Sequence, residues 1–293
     1  MTGAGRGVSA KLMSDGYEYL AASRQGIFLI GHEGYRKLAD GQFFGITVSG
    51  DNIYVFRTVS LDEAASNPNQ GAIIQYRYVD GSLSEPQERV SGLDYNGHQI
   101  DFYDGSFWLV DSGHQRILEY DRDWTCVGEH RVAPVTDRRG PDDVHVNSFH
   151  GAGDRIRVMF HNGHRNRPSE IVEFDRQFRE LNRIRLDSTG CHDIVPLEDG
   201  TLLYCESIRG QIASADGARY KIDELYTRGL AVGENEIAVG SSLYGARASR
   251  ALLPGFVTFL DRDYRRIARI HIPAAVTQMC RLDGVDRSLS FPR

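Results

Sequence analysis

Short runs rich in Val, Ile, Leu, Phe and Tyr recur along the chain, each four to eight residues long and bounded by Gly, Asp and Asn. Within the runs apolar and polar positions tend to alternate with period two, which predicts half-buried strands joined by tight turns. No sustained 3.6-residue periodicity competes with this pattern.

The runs fall into repeating units. Each has a first strand, a DG or GD turn, an apolar second strand, a loop, and a further strand ending near Asp. Three consecutive copies are clear: NGHQIDFYDGSFWLVDSGHQRILEYDRDW from Asn96, VHVNSFHGAGDRIRVMFH followed by SEIVEFDRQF, and GCHDIVPLEDGTLLYCESIRGQIASADG. Two weaker copies begin at Phe43 and Thr227, and a sixth is split, with VTQMCRLDG from Val276 supplying a first strand and Tyr17 to Gly41 the rest. Units of about 40–50 residues with three or four strands are β-propeller blades, because a single blade cannot bury both faces and must stack on neighbours. The expectation is therefore an all-β, single-domain β-propeller over residues 15–293. Six blades are favoured over seven, the ends of the chain close one blade, and residues 1–14 form a loose N-terminal segment.

Aligning the first strands places His98, His145 and His192 at one position in three consecutive units, at intervals of 47 residues. The same position holds Phe44 and Arg228 in the weaker units and Val276 or Thr277 in the split one. Innermost strands line a propeller's channel, so these side chains should form a ring at one mouth. A single channel histidine usually bonds only backbone or water. Three in register instead suggest ligands for one divalent transition metal, Fe, Mn or Zn, with positions left open for water and substrate. An anion-binding or acid–base histidine cluster is the rival. Loops after the second strands return to the same face; they carry Arg57 to Asn69, Asp111 to His114, His161 to Arg167, Glu206 to Arg209, and Ser241 to Arg250. From them Glu206, Asp111 and His161 are candidates for proton transfer, and Arg228, Arg209 and Phe44 for substrate contact.

The composition narrows the partners. With 34 Lys and Arg against 40 Asp and Glu, the net charge of -6 argues against nucleic acid. No apolar stretch has the length of a signal peptide's core or a membrane span, so a cytoplasmic protein without a membrane partner is expected. The four cysteines show neither CxxC nor framework spacing, and only Cys191 stands beside a site residue. GxSxG, GxxxxGK[ST] and HExxH are absent, against an α/β-hydrolase, a P-loop enzyme or a zincin.

The blade DGSFWLVDSGHQRILEYD resembles the repeat of NHL, gluconolactonase-like and streptogramin-lyase propellers. GHQIDF, FWLVDS, VHVNSF, GCHDIV and RGLAVG together resemble segments of an uncharacterised bacterial propeller family. This second resemblance spans about Asn96 to Gly284 and implies equivalence of His98, His145, His192 and Arg228 but no reaction. Streptogramin lyases are similar in using a metal and a histidine at a propeller mouth, whereas this chain has three ring histidines. The functional expectation is a metal-dependent lyase or hydrolase acting on a small, polar, anionic molecule. The alternatives are a non-catalytic binding propeller and a metal-free hydrolase using a histidine–carboxylate pair.

Overall fold

The computed structural model describes residues 16–79, 81–134, 143–163, 166–245 and 253–285. The expected loose segment 1–14 lies outside them. Six antiparallel sheets form the six blades of a propeller. We number the blades by their innermost strands: Phe43–Ser49 (blade 1), Gly97–Tyr103 (2), Val146–Ala152 (3), His192–Pro196 (4), Tyr226–Val232 (5) and Val276–Arg281 (6). Blade 6 is the split one. Its inner strand comes from the C-terminal part and pairs with Tyr17–Ser23, followed outward by Gly26–Gly31 and Gly34–Ala39.

Period-two patterning acts here between blades rather than between core and solvent. In Tyr17–Ser23, Leu20 and Ala22 pack against blade 1, whereas Tyr19 and Ala21 pack against blade 5. Middle strands are therefore covered on both faces, and Gly26–Gly31, Leu202–Glu206 and Ile237–Ser242 are buried throughout. Outer strands such as Glu180–Arg185 face solvent almost along their whole length. The loop expected between Arg57 and Asn69 contains a one-and-a-half-turn helix, Leu61–Ser66. Its start is fixed by a reciprocal capping box: Ser60 Oγ accepts the Glu63 N–H at 3.2 Å, and Glu63 Oε2 accepts the Ser60 N–H at 2.8 Å. Among the described residues no helix is long and apolar enough to cross a membrane.

The inner strands belong to separate sheets, and polar side chains stitch them into a closed belt. Thr277 donates to Phe43 O at 3.1 Å, and Gln278 bridges from blade 6 to Ile46 N at 2.9 Å and Ile100 O at 3.3 Å. Thr47 Oγ1 reaches Asp101 across blades 1 and 2 (3.2 Å), and Gln99 pairs with both N–H and C=O of Phe149 across blades 2 and 3 (2.9 and 2.7 Å). Asn147 donates to Cys191 O (2.9 Å), and Ser148 Oγ accepts Asp193 N–H (2.8 Å). Asp193 in turn accepts Gly229 N–H (3.0 Å), and Arg228 Nε returns to Thr277 O (3.0 Å). Each buried backbone group satisfied this way avoids a desolvation penalty of about 1–3 kcal/mol. The belt also narrows the channel to a throat of about 10 Å³, room for roughly one water.

Candidate functional site

Every inner strand breaks register with its neighbour at or within two residues of the ring position. The pairing skips Phe44 in blade 1, the His98–Gln99 pair in blade 2, Asn147 in blade 3, Asp193 and Ile194 in blade 4, the Arg228–Gly229 pair in blade 5 and Thr277 in blade 6. Such bulges re-aim side chains out of the strict in-out alternation. His145, immediately before its strand, has φ 49°, and Asp193 has φ 59°. Non-glycine residues in this left-handed region are held there by their surroundings, here by hydrogen bonds from His145 N–H to Asp143 and from Asp193 N–H to Ser148.

Above the throat opens a cavity of about 340 Å³, and Phe44, His98, His145, His161, His192 and Arg228 all line it. Six of the nine residues singled out from the sequence thus converge. The imidazoles form an arc: ring centres lie 4.9 Å apart from His98 to His145, 5.2 Å from His145 to His161 and 4.9 Å from His161 to His192. Phe44 closes one end, 5.0 Å from the His98 ring, with the Arg228 guanidinium 5.3 Å from its centre.

The other three residues are placed elsewhere. Asp111, 3% exposed, is bound by Arg116 at 2.7 Å and His114 at 2.8 Å. Glu206, 1% exposed, is held by Arg209 (2.8 Å), Arg219 (3.2 Å), Ser188 and Gln211. Neither carboxylate lines the cavity, nor does Arg209, whose charge is spent on Glu206. The reason is geometric: as the last residues of their second strands, they meet arginines of their own blades before they can reach the channel. Glu206 instead anchors the turn Ser207–Arg209, from which Ser207 Oγ lies 2.9 Å from His192 Nδ1 and Ile208 lines the cavity. Sequence reasoning missed Tyr226, and it held Leu243 and Tyr244 only as part of the loop from Ser241 to Arg250. Tyr226 stands two residues before Arg228 on the same strand, the spacing that places two side chains on one face. The thiol of Cys191 is buried and pushed up to about 12, chiefly by burial, so it is an inert packing group.

Hydrogen bonding fixes the ring protons. A guanidinium can only donate, so Arg228 Nη2, 2.9 Å from His98 Nδ1, makes that nitrogen an acceptor and leaves the proton on Nε2. The Gly163 N–H donates to His161 Nδ1 at 3.0 Å, with the same result. His192 is the reverse: Nδ1 lies 3.2 Å from the Gly190 carbonyl, which can only accept, and 2.9 Å from Ser207 Oγ, which can do either, so a proton on Nδ1 satisfies both and leaves the lone pair on Nε2. Burial first, then the charge of Arg228 and the other three imidazoles, holds its pKa well below the ordinary value of 6.5. Among the described residues, no group of three or more His, Cys, Asp or Glu is arranged to hold a metal ion.

A pH effect on stability follows. A His192 that resists protonation in the folded state titrates at about 6.5 once unfolded, so below that pH the unfolded chain binds the extra proton. Stability is fully present above pH 6.5 and is lost as pH falls toward the folded-state value, by up to about 1.4 kcal/mol per pH unit for one such group. Denaturant melts between pH 7 and 5 should show this slope reduced in His192→Gln; an identical slope would place the titration elsewhere.

No protein-family model matches the chain, and no curated protein does. Solved structures do. The shared feature is the β-propeller fold. A putative gluconolactonase superposes with TM-score 0.58 at 13% identity, covering 83% of both chains. A streptogramin B lyase superposes with TM-score 0.53 at 13% identity, covering 92% of this chain and 88% of its own. A chain from a nidogen–laminin complex gives TM-score 0.64 at 10% identity, covering 92% and 99%. Two of the three families resembled at the level of the blade repeat are thus represented, and the third neighbour is part of a protein–protein assembly. At such identities the likeness is one of fold, which hosts enzymes and binding modules alike.

Proposed function

We propose that the mouth is the active site of a lyase or hydrolase for a small anionic substrate, with acid–base chemistry carried by the imidazoles. The observation behind this reading is the hydrogen bonding of the ring nitrogens, which gives His161 and His192 opposite roles at Nε2. Arg228 brings a fixed cation held against His98 Nδ1, His161 carries an Nε2–H donor, and His192 offers an Nε2 lone pair whose protonation burial disfavours. A substrate carboxylate or developing oxyanion would be held by the donors, and His192 would take the proton from a C–H or a water. Buried charge and dipoles fixed before the reaction act strongly on such a developing charge.

A divalent metal on His98, His145 and His192 is the second reading, favoured by the close spacing of consecutive rings. It requires His98 to release Arg228, because the Nδ1 lone pair is already used there. One experiment separates the two. Protein purified without a His-tag is analysed for metals and assayed on small carboxylates, lactones and esters, with and without chelator. The first reading expects activity unaffected by chelator and reduced about 10²–10⁴-fold in His192→Gln. About one equivalent of first-row metal, lost together with activity in the double variant His145→Ala/His192→Ala, would establish the second. Tight ligand capture without turnover would leave a binding propeller.

A further inference from the structure

Among the described residues nine large hydrophobic side chains remain exposed, and three of them, Ile208, Leu243 and Tyr244, border this one cavity. Tyr244 is 68% exposed and Ile208 63%, whereas the ring residues His98, His145 and His192 below are 4–9% exposed. The cavity is therefore split by depth, with a charged and hydrogen-bonding floor under an apolar, aromatic rim. Tyr226 joins the halves: its hydroxyl lies 3.4 Å from His192 Nδ1, and its ring centre lies 5.7 Å from that of His192 and 5.2 Å from that of Tyr244.

Resting on the anion-site reading above, we infer that the substrate is an amphipathic acid, a carboxylate carried on a planar apolar group of about the size of a phenyl ring. The carboxylate lies against Arg228, and the planar group lies over Tyr226 and Tyr244 and against the aliphatic pair Ile208 and Leu243. Exposed apolar side chains gathered at one concave site gain most from a ligand that covers them. Tyr rings favour a flat partner in offset or edge-on contact. A sugar acid would place hydroxyls against Ile208 and Leu243, which can neither donate nor accept. A flat protein surface could cover the rim but not reach the guanidinium beneath it. The volume of about 340 Å³ is at the small end for ligand pockets, which limits the substrate to one ring and a short chain.

The test uses three probes titrated calorimetrically into the intact protein: 3-phenylpropionate, propionate and 3-phenylpropan-1-ol. Phenylpropionate should bind at least about tenfold tighter than either of the others. In the double variant Leu243→Ser/Tyr244→Ser the two acids should bind alike. Phenylpropionate no tighter than propionate overturns the amphipathic assignment and leaves the anion site standing. The alcohol binding as well as its acid overturns the anion site and this inference with it, as does a failure of all three probes to bind. A gap between the acids that survives the double variant overturns the role of the rim.

Discussion

Deleting the chain from Val276 onward should abolish cooperative folding or lower the melting temperature by at least about 10 °C. The segment is the inner strand of blade 6, paired with Tyr17–Ser23 from Tyr19–Arg281 to Ser23–Val276. It buries Val276 and Met279 in the interface with blade 5, each contributing on the order of 1.5–3 kcal/mol. It also carries Thr277 and Gln278, which link blade 6 to blades 1 and 2. Losing these together takes away much of the roughly 5–15 kcal/mol that stabilises a typical domain, and it leaves Tyr17–Ser23 as an unpaired edge. In the full-length chain, Val276→Asp with Met279→Asp should reproduce most of the loss, because each carboxylate would be buried without a partner. Thermal melts followed by far-UV circular dichroism check both, and a truncated protein that melts like the intact one would refute closure through this strand.

The closure itself was legible in the sequence, since a first-strand pattern at Val276 and its missing remainder at Tyr17 can be matched without coordinates. So was the convergence of His98, His145, His192, His161, Phe44 and Arg228, because equal positions in repeated units become neighbours around a channel. What the repeat could not reveal is the bulge in every inner strand. Strict alternation would have put residues such as Arg228 and Thr277 into the ladder, and only the register shift turns them to the channel. Asp111 and Glu206 were misplaced for the converse reason: their loops do return to the right face, but each carboxylate is captured by a nearby arginine of its own blade. Charge patterning across strands depends on register, which a single sequence leaves open. The aromatic rim escaped notice because Tyr226 and Tyr244 sit outside the aligned ring position, and the belt because Gln, Asn, Ser and Thr on a strand read as ordinary solvent-facing residues. Of the expected metal site the structure shows the gathering of the rings.

Arg228→Lys should weaken binding of 3-phenylpropionate by about 10- to 100-fold while the protein remains folded. Arg228 uses two arms of its planar fork at once, Nε on Thr277 O and Nη2 on His98 Nδ1, with its face toward Phe44. A lysine ammonium is a single point charge on a flexible stem and cannot hold both partners in that geometry, although the net charge is kept. A charge-assisted hydrogen bond contributes about 1.5–3 kcal/mol, and about 1.4 kcal/mol corresponds to a factor of ten in affinity. Loss of the Thr277 contact removes one link of the belt, worth about 1 kcal/mol, so the melting temperature should fall by only a few degrees. The same change frees the lone pair on His98 Nδ1 and removes the donor that fixes its tautomer, so zinc affinity should rise if the arc can ligate a metal at all. Three measurements on one variant thus report on three roles of one side chain. Unchanged affinity for the acid in a stably folded variant would take Arg228 out of the site. A fall of ten degrees or more with affinity intact would make its role that of a blade link alone.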